Sequence, residues 1–243
     1  MWEAVLLVVG GTFAGAVNAV AGGGSTLTVP LLVLAGVPGN AANGSNRVGV
    51  ITSNVTAATS FKRLGVDGFT HALPILAPVV AGSLLGSLAV SRLTDDAFET
   101  VFGLLMVPLV LLSARTPRVR AEAGEWSRTT TAVVFFAIGV YGGAIQAGVG
   151  LVLLAALTRA GYDLVVANSM KVIVIFTLTA TALPVFIAQG DIRWGPALVL
   201  AAGFALGGWL GAHAAVKGGE RLIRAVMVLA AIGLAAKLLG AFG

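Results

Sequence analysis

Two short stretches of the chain place a carboxamide and a cation on one helical face. Asn43 precedes Arg47 by four residues, and Asn168 precedes Lys171 by three. Residues three or four apart lie on the same side of a helix, so each pair offers hydrogen-bond donors beside a positive charge. Arginine suits a forked contact with an oxyanion, whereas lysine acts as a point charge. The pairs, with Asn46 as a further donor, predict binding of a small anion.

The surroundings of the two cations predict different depths in an apolar layer. Lys171 precedes the apolar run 172–176, and a charged residue at apolar depth usually marks a substrate or ion pathway. The alternative for Lys171 is a side chain that extends to the interface. Arg47 has Gly, Ser and Asn neighbours, so a position near the membrane edge is an equal alternative for it.

A glycine-rich break stands upstream of each cation and precedes a short apolar stretch, at about 25–36 and 150–160. A helix of that length reaches only about 16–18 Å, too short to cross a bilayer. The start of such a half-helix offers free N–H groups and a partial positive charge to an anion. The alternative is that the glycines only permit close helix packing. The predicted break residues are Gly22, Gly23, Gly24, Ser25, Gln146, Gly148 and Gly150.

The composition requires a membrane to surround these elements. Hydrophobic residues make up 58% of the 243 and charged residues 10%, and the mean hydropathy is +0.99. Soluble domains carry roughly 45–50% apolar and about 25% charged residues. The charge-free intervals match membrane-spanning helices, and they lack the alternation of a transmembrane barrel. We therefore expect an all-α, polytopic helical bundle of about 8–10 segments in a cell inner membrane.

An internal repeat organises these segments. A shift of 125 residues aligns Gly23 with Gly148, Asn43 with Asn168, and further glycines as far as Gly86 and Gly211. We predict a first repeat at 1–114, a polar loop at 115–128 and a second repeat at 129–243. The expected helices lie at about 2–21, 25–36, 40–61, 69–90 and 97–114, then 130–146, 150–160, 164–188, 194–216 and 221–241.

The distribution of Lys and Arg favours inverted repeats. Cytoplasmic loops are enriched in these residues, which places the 115–128 loop and Lys62-Arg63 on the cytoplasmic side. This arrangement requires an odd number of crossings in each half. Arg92 and Arg193 then fall on the outer side, against the rule.

Other kinds of chemistry have weak support in the sequence. The chain has no cysteine, which excludes disulfides, thiolate metal sites and cysteine nucleophiles. It also lacks the His/Asp/Glu cluster of a metal-dependent membrane enzyme and the basic runs with interleaved aromatics of nucleic-acid binding. We therefore expect no enzyme, no cofactor, no metal site and no nucleic-acid partner.

Proton coupling has one candidate residue. His213 lies in an apolar stretch and would titrate near neutral pH, although a lone histidine in a helix is more often structural. A weak-acid substrate is the alternative proton carrier. Asp67, Asp163 and Asp191 stand beside turns and are expected to cap helices.

The motifs in both halves resemble those of the sulfite exporter TauE/SafE family of permeases. The resemblance covers nearly the whole chain, and its order and spacing are more specific than any one motif. It lies in Gly15-Ala16-Val17-Asn18-Ala19-Val20-Ala21-Gly22-Gly23-Gly24-Ser25, Val29-Pro30-Leu31-Leu32, Ala42-Asn43-Gly44-Ser45-Asn46, Gly148-Val149-Gly150, Ala167-Asn168-Ser169-Met170-Lys171 and Gly190-Asp191-Ile192.

The resemblance implies transport of sulfite, of sulfonates such as sulfoacetate, of thiosulfate or of related anions. The residues and the resemblance together predict a secondary transporter that holds the anion between its repeats and works by alternating access. A passive anion channel is the nearest alternative. A lipid-handling protein or membrane enzyme is a more distant one, because no nucleophile or acid–base pair is evident.

Overall fold

The computed structural model describes residues 2–98, 100–102, 104 and 126–238. Within these ranges the regular structure is entirely helical, which confirms the prediction of an all-α polytopic bundle. Further helical residues follow the fourth helix at 95–98, 100–102 and 104. The labelled helices are α1 Trp2–Ala21, α2 Ser25–Leu34, α3 Gly39–Arg63, α4 Phe69–Val90, α5 Arg128–Ala144, α6 Val149–Arg159, α7 Leu164–Gln189 and α8 Trp194–Leu238.

The last helix differs from its prediction. Two helices were expected at 194–216 and 221–241, but α8 continues through the Gly218-Gly219 pair. Each glycine costs a helix only about 1 kcal/mol and keeps its N–H, and no proline follows Pro196. The separation into two helices was therefore wrong. The predicted helix 97–114 and loop 115–128 lie largely outside the described residues.

Four described helices are long and apolar enough to cross a membrane: α1, α4, α7 and the first part of α8. The predicted short helices are also present, because α2 has 10 residues and α6 has 11. At 1.5 Å per residue these reach about 15–17 Å. The chain is thus a multi-pass membrane protein with two helices too short to span.

Helix α3 is long but not apolar. Its 25 residues include the buried Asn40, Asn43, Asn46, Arg47 and Asn54. A polar helix is stable at membrane depth when other helices surround it, and α3 packs against α7 and α8. Hydropathy alone does not identify α3 as membrane-spanning. Its burial among other helices explains how so polar a helix is stable in the bundle.

Glycine stripes join each half to the other. A Cβ placed on Gly203, Gly207 or Gly211 of α8 would lie 2.2–2.5 Å from the carbonyl oxygens of Val8, Thr12 and Ala16 of α1, respectively. The residue numbers of the contacting pairs increase in the same direction along both helices, so α1 and α8 run parallel. Small residues let helix backbones approach this closely in membranes.

The equivalent pair across the two halves is α4 with α5. A Cβ on Gly82 or Gly86 would lie 2.2 Å from the Phe136 oxygen and 2.0 Å from the Val140 oxygen, respectively. These helices also run parallel. Gly82 and Gly86 are the repeat equivalents of Gly207 and Gly211, so corresponding stripes make corresponding contacts across the two halves.

Helix α3 runs parallel to α8 and antiparallel to α7. Thr52 and Thr56 donate to the Ala201 and Ala205 carbonyls of α8, at 3.1 and 3.0 Å. By contrast, Gly44 near the start of α3 contacts Asp191 after the end of α7. Ser169, near the start of α7, donates to the Val66 carbonyl beyond the end of α3, at 3.4 Å.

Helices α4 and α7 pack side by side. Gly68, just before α4, meets Ser169 near the start of α7, and Ser83 further along α4 donates to the Leu178 carbonyl at 2.6 Å. The two helices therefore run parallel. The halves interlock, and one apolar core contains buried residues from both.

The Gly207 contact gives a first prediction. Gly207→Ala should lower the midpoint of thermal unfolding by roughly 2–12 °C, because overpacking costs about 1–3 kcal/mol and each kcal/mol shifts a domain of this size by about 2–4 °C. Gly195→Ala in the same helix is the control, since its Cβ meets no atom within 4 Å. The measurement is thermal unfolding in detergent, and equal midpoints for the two variants would contradict the packing described.

Candidate functional site

The two glycine-rich breaks meet in the interior. A Cβ on Gly22 would lie 2.3 Å from the Gly150 Cα, and one on Gly150 would lie 2.2 Å from the Gly22 Cα. Gly22 also has φ +78°, in the left-handed region that favours glycine. The backbones of the two halves are therefore in direct contact at this point, which allows no side chain on either residue.

Both breaks leave backbone donors free at the start of a short helix. The amides of Gly23, Gly24 and Ser25 before α2, and of Gly148 and Gly150 at α6, donate to no carbonyl in the described structure. Gly148 has φ +71°. Such N–H groups and the helix dipole attract negative charge.

Gln146 lies in the second break with an unusual backbone. Its φ is +63°, a conformation that costs a non-glycine residue about 1 kcal/mol or more. Its Nε2 donates to the Thr179 hydroxyl of α7, whereas its buried Oε1 has no partner. The side chain thus fixes the break against α7.

Lys171 donates hydrogen bonds to the last turn of α1. The side chain is fully buried, and its Nζ donates to the carbonyl oxygens of Asn18 at 2.8 Å and Ala19 at 3.1 Å. The last carbonyls of a helix have no partner within it and carry a partial negative charge. Lys171, from the second half, supplies that partner to the first helix of the first half.

Arg47 does the same for α5. The fully buried guanidinium donates to the carbonyls of Gly142, Gly143 and Ala144, at 3.3, 2.6 and 3.1 Å. Its central carbon lies 4.4 Å from the centre of the Phe186 ring, a cation–π distance. Arg47 is therefore fully enclosed by other parts of the protein.

The two cations thus have equivalent roles at neighbouring repeat positions. A shift of 125 residues takes Lys171 to Asn46, next to Arg47. Neither cation hydrogen bonds to a carboxylate in the described part of the chain. A helix end offers only about half an elementary charge, so the region keeps an excess of positive charge.

Several buried amides around the cations have unused hydrogen-bonding atoms. Asn168 has no partner for either side-chain atom, and Asn46 has none for its Nδ2. Asn46 Oδ1 accepts from Thr28 of α2 at 2.5 Å, and Asn43 Nδ2 donates to Ala144 O at 2.8 Å. An unpaired buried donor costs about 1–3 kcal/mol, so these atoms indicate a ligand or water.

The structure brings most of the predicted residues into two adjoining clusters. One holds Arg47 and Asn43 at the end of α5, and the other holds Lys171 and Gly22 at the end of α1. The Gly22–Gly150 contact links them. We call this region the central polar cluster.

Four residues in this cluster were not predicted from the sequence. Asn18 is buried one turn before the first break, with its Nδ2 unpaired. Thr28, Thr179 and Phe186 contact Asn46, Gln146 and Arg47, respectively. Asn18 had a usable signal, because it is the one amide in the apolar helix α1.

Two predictions about titratable residues have clear outcomes. Asp67 and Asp163 accept hydrogen bonds from the first amides of α4 and α7, as expected of helix caps. Hydrogen bonds from Thr70 lower the pKa of Asp67. The capping prediction for Asp191 was wrong, because its carboxylate accepts from Asn40 of the other half at 3.1 Å.

His213 lies apart from the central polar cluster. Its Nδ1 lies 2.9 Å from the Trp209 carbonyl of its own helix, and its ring packs on Trp209 with centroids 4.7 Å apart. These contacts are local to α8. They give no support to proton coupling by His213 at the cluster.

A cavity of about 770 Å³ lies elsewhere, between α4, α5 and the end of α6. His71, Arg128 and Tyr162 line it, and none of the predicted site residues does. Its lining is largely apolar and contains no fully buried cation. The central polar cluster therefore remains the stronger candidate site.

A bundle with two broken segments meeting beside buried cations defines a polytopic membrane protein of the transporter class. The chain belongs to the sulfite exporter TauE/SafE family, whose sequence profile matches residues 7–238. The family is typically found in the cell inner membrane.

Relatives in three bacteria agree with this assignment. The chain is 27% identical to the "Probable membrane transporter protein ORF9" of Sinorhizobium sp., covering 96% of this chain and 91% of the relative. It is 28% identical to a "Probable membrane transporter protein" of Haemophilus influenzae, covering 97% and 93%. It is 26% identical to YfcA of Escherichia coli K12, covering 93% and 86%. No solved structure matches the chain significantly.

The Gly22–Gly150 contact gives a second prediction. Gly22→Ala should destabilise the protein more than Gly65→Ala, as measured by thermal unfolding in detergent. Both glycines have positive φ, +78° and +81°, so both variants incur a backbone cost of about 1–2 kcal/mol. Only Gly22→Ala adds a clash, because nothing lies within 4 Å of a Cβ on Gly65. Equal losses would mean that the close contact is absent.

Proposed function

We propose that this protein is a secondary transporter that carries small sulfur-containing anions, such as sulfite, thiosulfate or a sulfonate, across the inner membrane. The observation that carries the proposal is the pair of fully buried cations, one from each half, neither of which bonds to a carboxylate among the residues that the structure describes. The anion would bind at the central polar cluster.

Charge supports an anionic rather than a cationic cargo. Uncompensated charge at membrane depth is expensive, and the two helix ends offset Lys171 and Arg47 only in part. The starts of α2 and α6 add further positive potential. A bound anion would neutralise this excess, whereas a cation would increase it.

The free donors support an oxyanion. Among the described residues, the amides of Gly23, Gly24, Ser25, Gly148 and Gly150 and the Nδ2 atoms of Asn18, Asn46 and Asn168 have no hydrogen-bond partner. Oxygen atoms on sulfur accept several hydrogen bonds at once, as a sulfate or phosphate does at a helix N-terminus. The family description, sulfite exporter, names a cargo of this chemistry.

Alternating access would require the breaks to separate. Gly22 and Gly150 are in van der Waals contact, so an anion lies between them only if the halves move apart here. Each buried cation holds a helix of the opposite half. An anion that drew Lys171 or Arg47 away from the carbonyls would weaken that hold, and this exchange links binding to the movement of the halves.

The helix directions support inverted repeats. Helices α1 and α3 run parallel to α8, α5 and α7 run parallel to α4, and α3 is antiparallel to α7. The first helices of the two halves therefore run in opposite directions. Inverted repeats around a midplane site are typical of carriers.

The third prediction tests the anion site directly. The measurement is uptake of sulfite, thiosulfate and sulfoacetate by purified protein in liposomes, wild type beside Lys171→Met and Lys171→Ala. Saturable uptake should appear for at least one anion and fall at least tenfold in both variants, about 1.4 kcal/mol. The same direction is expected for Arg47→Met.

Lys62→Met is the matched control, because Lys62 is an exposed cation, and it should retain wild-type uptake. Thermal unfolding of each variant separates loss of binding from loss of fold. Retained uptake in a folded Lys171→Met protein would refute the site. Currents of many ions per opening, without counterflow, would identify a channel instead.

A further inference from the structure

A contact between the halves lies at the end of the bundle where α3 begins. Asn40 Nδ2 donates to Asp191 Oδ2 at 3.1 Å, and the Asn40 backbone N–H donates to Asp95 Oδ1 at 2.9 Å. Asn40 and Asp95 belong to the first half, and Asp191 belongs to the α7–α8 turn of the second. The turn is therefore bonded to the opposite half.

This turn covers Arg47. The Asp191 N–H donates to the Phe186 carbonyl at 2.9 Å, and the Phe186 ring packs on Arg47. Arg193 N–H donates to the Ser45 hydroxyl, one turn of α3 beyond Asn40, at 2.8 Å. The turn therefore bonds to two residues beside Arg47, which is itself fully buried.

One atom of the Asn40–Asp191 contact, Asn40 Oδ1, would accept a hydrogen bond if the Asp191 carboxyl carried a proton. Asn40 is only 4% exposed, and within the described parts of the chain no donor reaches its Oδ1, although its Nδ2 is bonded to Asp191. An ionised carboxylate can only accept hydrogen bonds, whereas a protonated carboxyl also donates one. A carboxamide facing a carboxylic acid forms two hydrogen bonds side by side, and facing a carboxylate it forms one.

We propose that Asp191 is a proton-binding residue whose neutral carboxyl forms both hydrogen bonds with the Asn40 carboxamide and so holds the turn closed over Arg47. Loss of the proton leaves one hydrogen bond and places two negative carboxylates, Asp95 and Asp191, on the same asparagine. The closed turn is therefore favoured by acid. Any coupling of this proton to anion transport rests on the function proposed above.

The surrounding charges agree with this direction. Burial and the neighbouring Asp95 raise the pKa of Asp191, and Arg193 opposes them. Arg47 on α3 lies behind the Phe186 ring. A raised pKa in the closed form means that closure binds a proton, so closure is strongest near or below the ordinary pKa of about 4. It weakens as the pH rises through the raised value.

The described residues at the other end of the bundle have no equivalent of the Asn40–Asp191 hydrogen bond. The repeat equivalents of Asn40 and Asp191 are Val165 and Val66. There Ser169 makes a single long hydrogen bond to the Val66 carbonyl, at 3.4 Å. The basic residues Lys62, Arg63, Arg128 and Arg159 lie at the ends of helices on that side, which makes it cytoplasmic by charge bias. The proton would therefore come from outside.

A cysteine reporter tests the proposal without any substrate. Since the chain has no cysteine, Ser45→Cys introduces one thiol, at a fully buried position under the Arg193 amide. The experiment measures its modification rate by a membrane-impermeant thiol reagent at pH 5 and pH 7.5. The reporter is placed in wild type, Asp191→Asn, Asp191→Ala and Asp96→Asn. At each pH, every modification rate is divided by the rate in Asp191→Asn, because this ratio removes the effect of pH on ionisation of the thiol.

The neutral amide of Asp191→Asn also forms two hydrogen bonds with Asn40 and should stay closed at both pH values. Relative to it, the wild-type rate should be several-fold higher at pH 7.5 than at pH 5. Asp191→Ala should be fast at both. Asp96→Asn, next to Asp95, should match wild type. A rate ratio that does not change with pH, or that falls as the pH rises, would overturn the proposal.

A second measurement needs no cysteine and covers the case in which Ser45→Cys does not fold. The thermal midpoint of wild type minus that of Asp191→Asn should fall between pH 5 and pH 7.5, because a raised native pKa stabilises the folded state only while the proton is bound. A constant difference would contradict the proposal. Neither readout involves an anion, so failure here is distinct from failure of the transport assay.

Discussion

Two helices that end inside a membrane protein impose the constraint on which the rest of this structure depends. The last carbonyls of α1 and α5 have no partner within their helices, and lipid offers no hydrogen bonds. Lys171 and Arg47 satisfy them, and each comes from the opposite half. The same bonds thereby offset a buried charge, complete a helix end and join the halves. Removing either cation would affect all three.

In the proposed transport function, this arrangement would let binding and movement involve the same atoms. An anion at the central polar cluster would compete with backbone carbonyls for the two cations. The carbonyls are fixed by their helices, whereas the Lys and Arg side chains are long and have several rotamers. Small displacements of the side chains would therefore change how tightly one half holds the other, with no rearrangement of the helices themselves.

The sequence predicted the helices well because glycine, proline and charge clusters mark their ends. Helix α1 begins and ends where expected, and the short helices α2 and α6 follow their breaks. The continuation of α8 through Gly218-Gly219 was missed, since two glycines weaken a helix without ending it. Spacing paired Asn43 with Arg47 and Asn168 with Lys171 on helical faces, and all four residues are buried. It could not identify Phe186 or Thr179, because their roles depend on contacts between distant segments. Asp191 was misassigned for the same reason: its partner, Asn40, lies 151 residues away.

The polar character of α3 has a consequence for how the protein is made. Helix α3 is synthesised before α7 and α8, the helices that cover its asparagines and Arg47. Until the second half leaves the ribosome, α3 is too polar to partition stably into lipid on its own. We therefore expect membrane insertion of the first half to be completed only after the second half arrives, so that the two halves are not assembled as independent units.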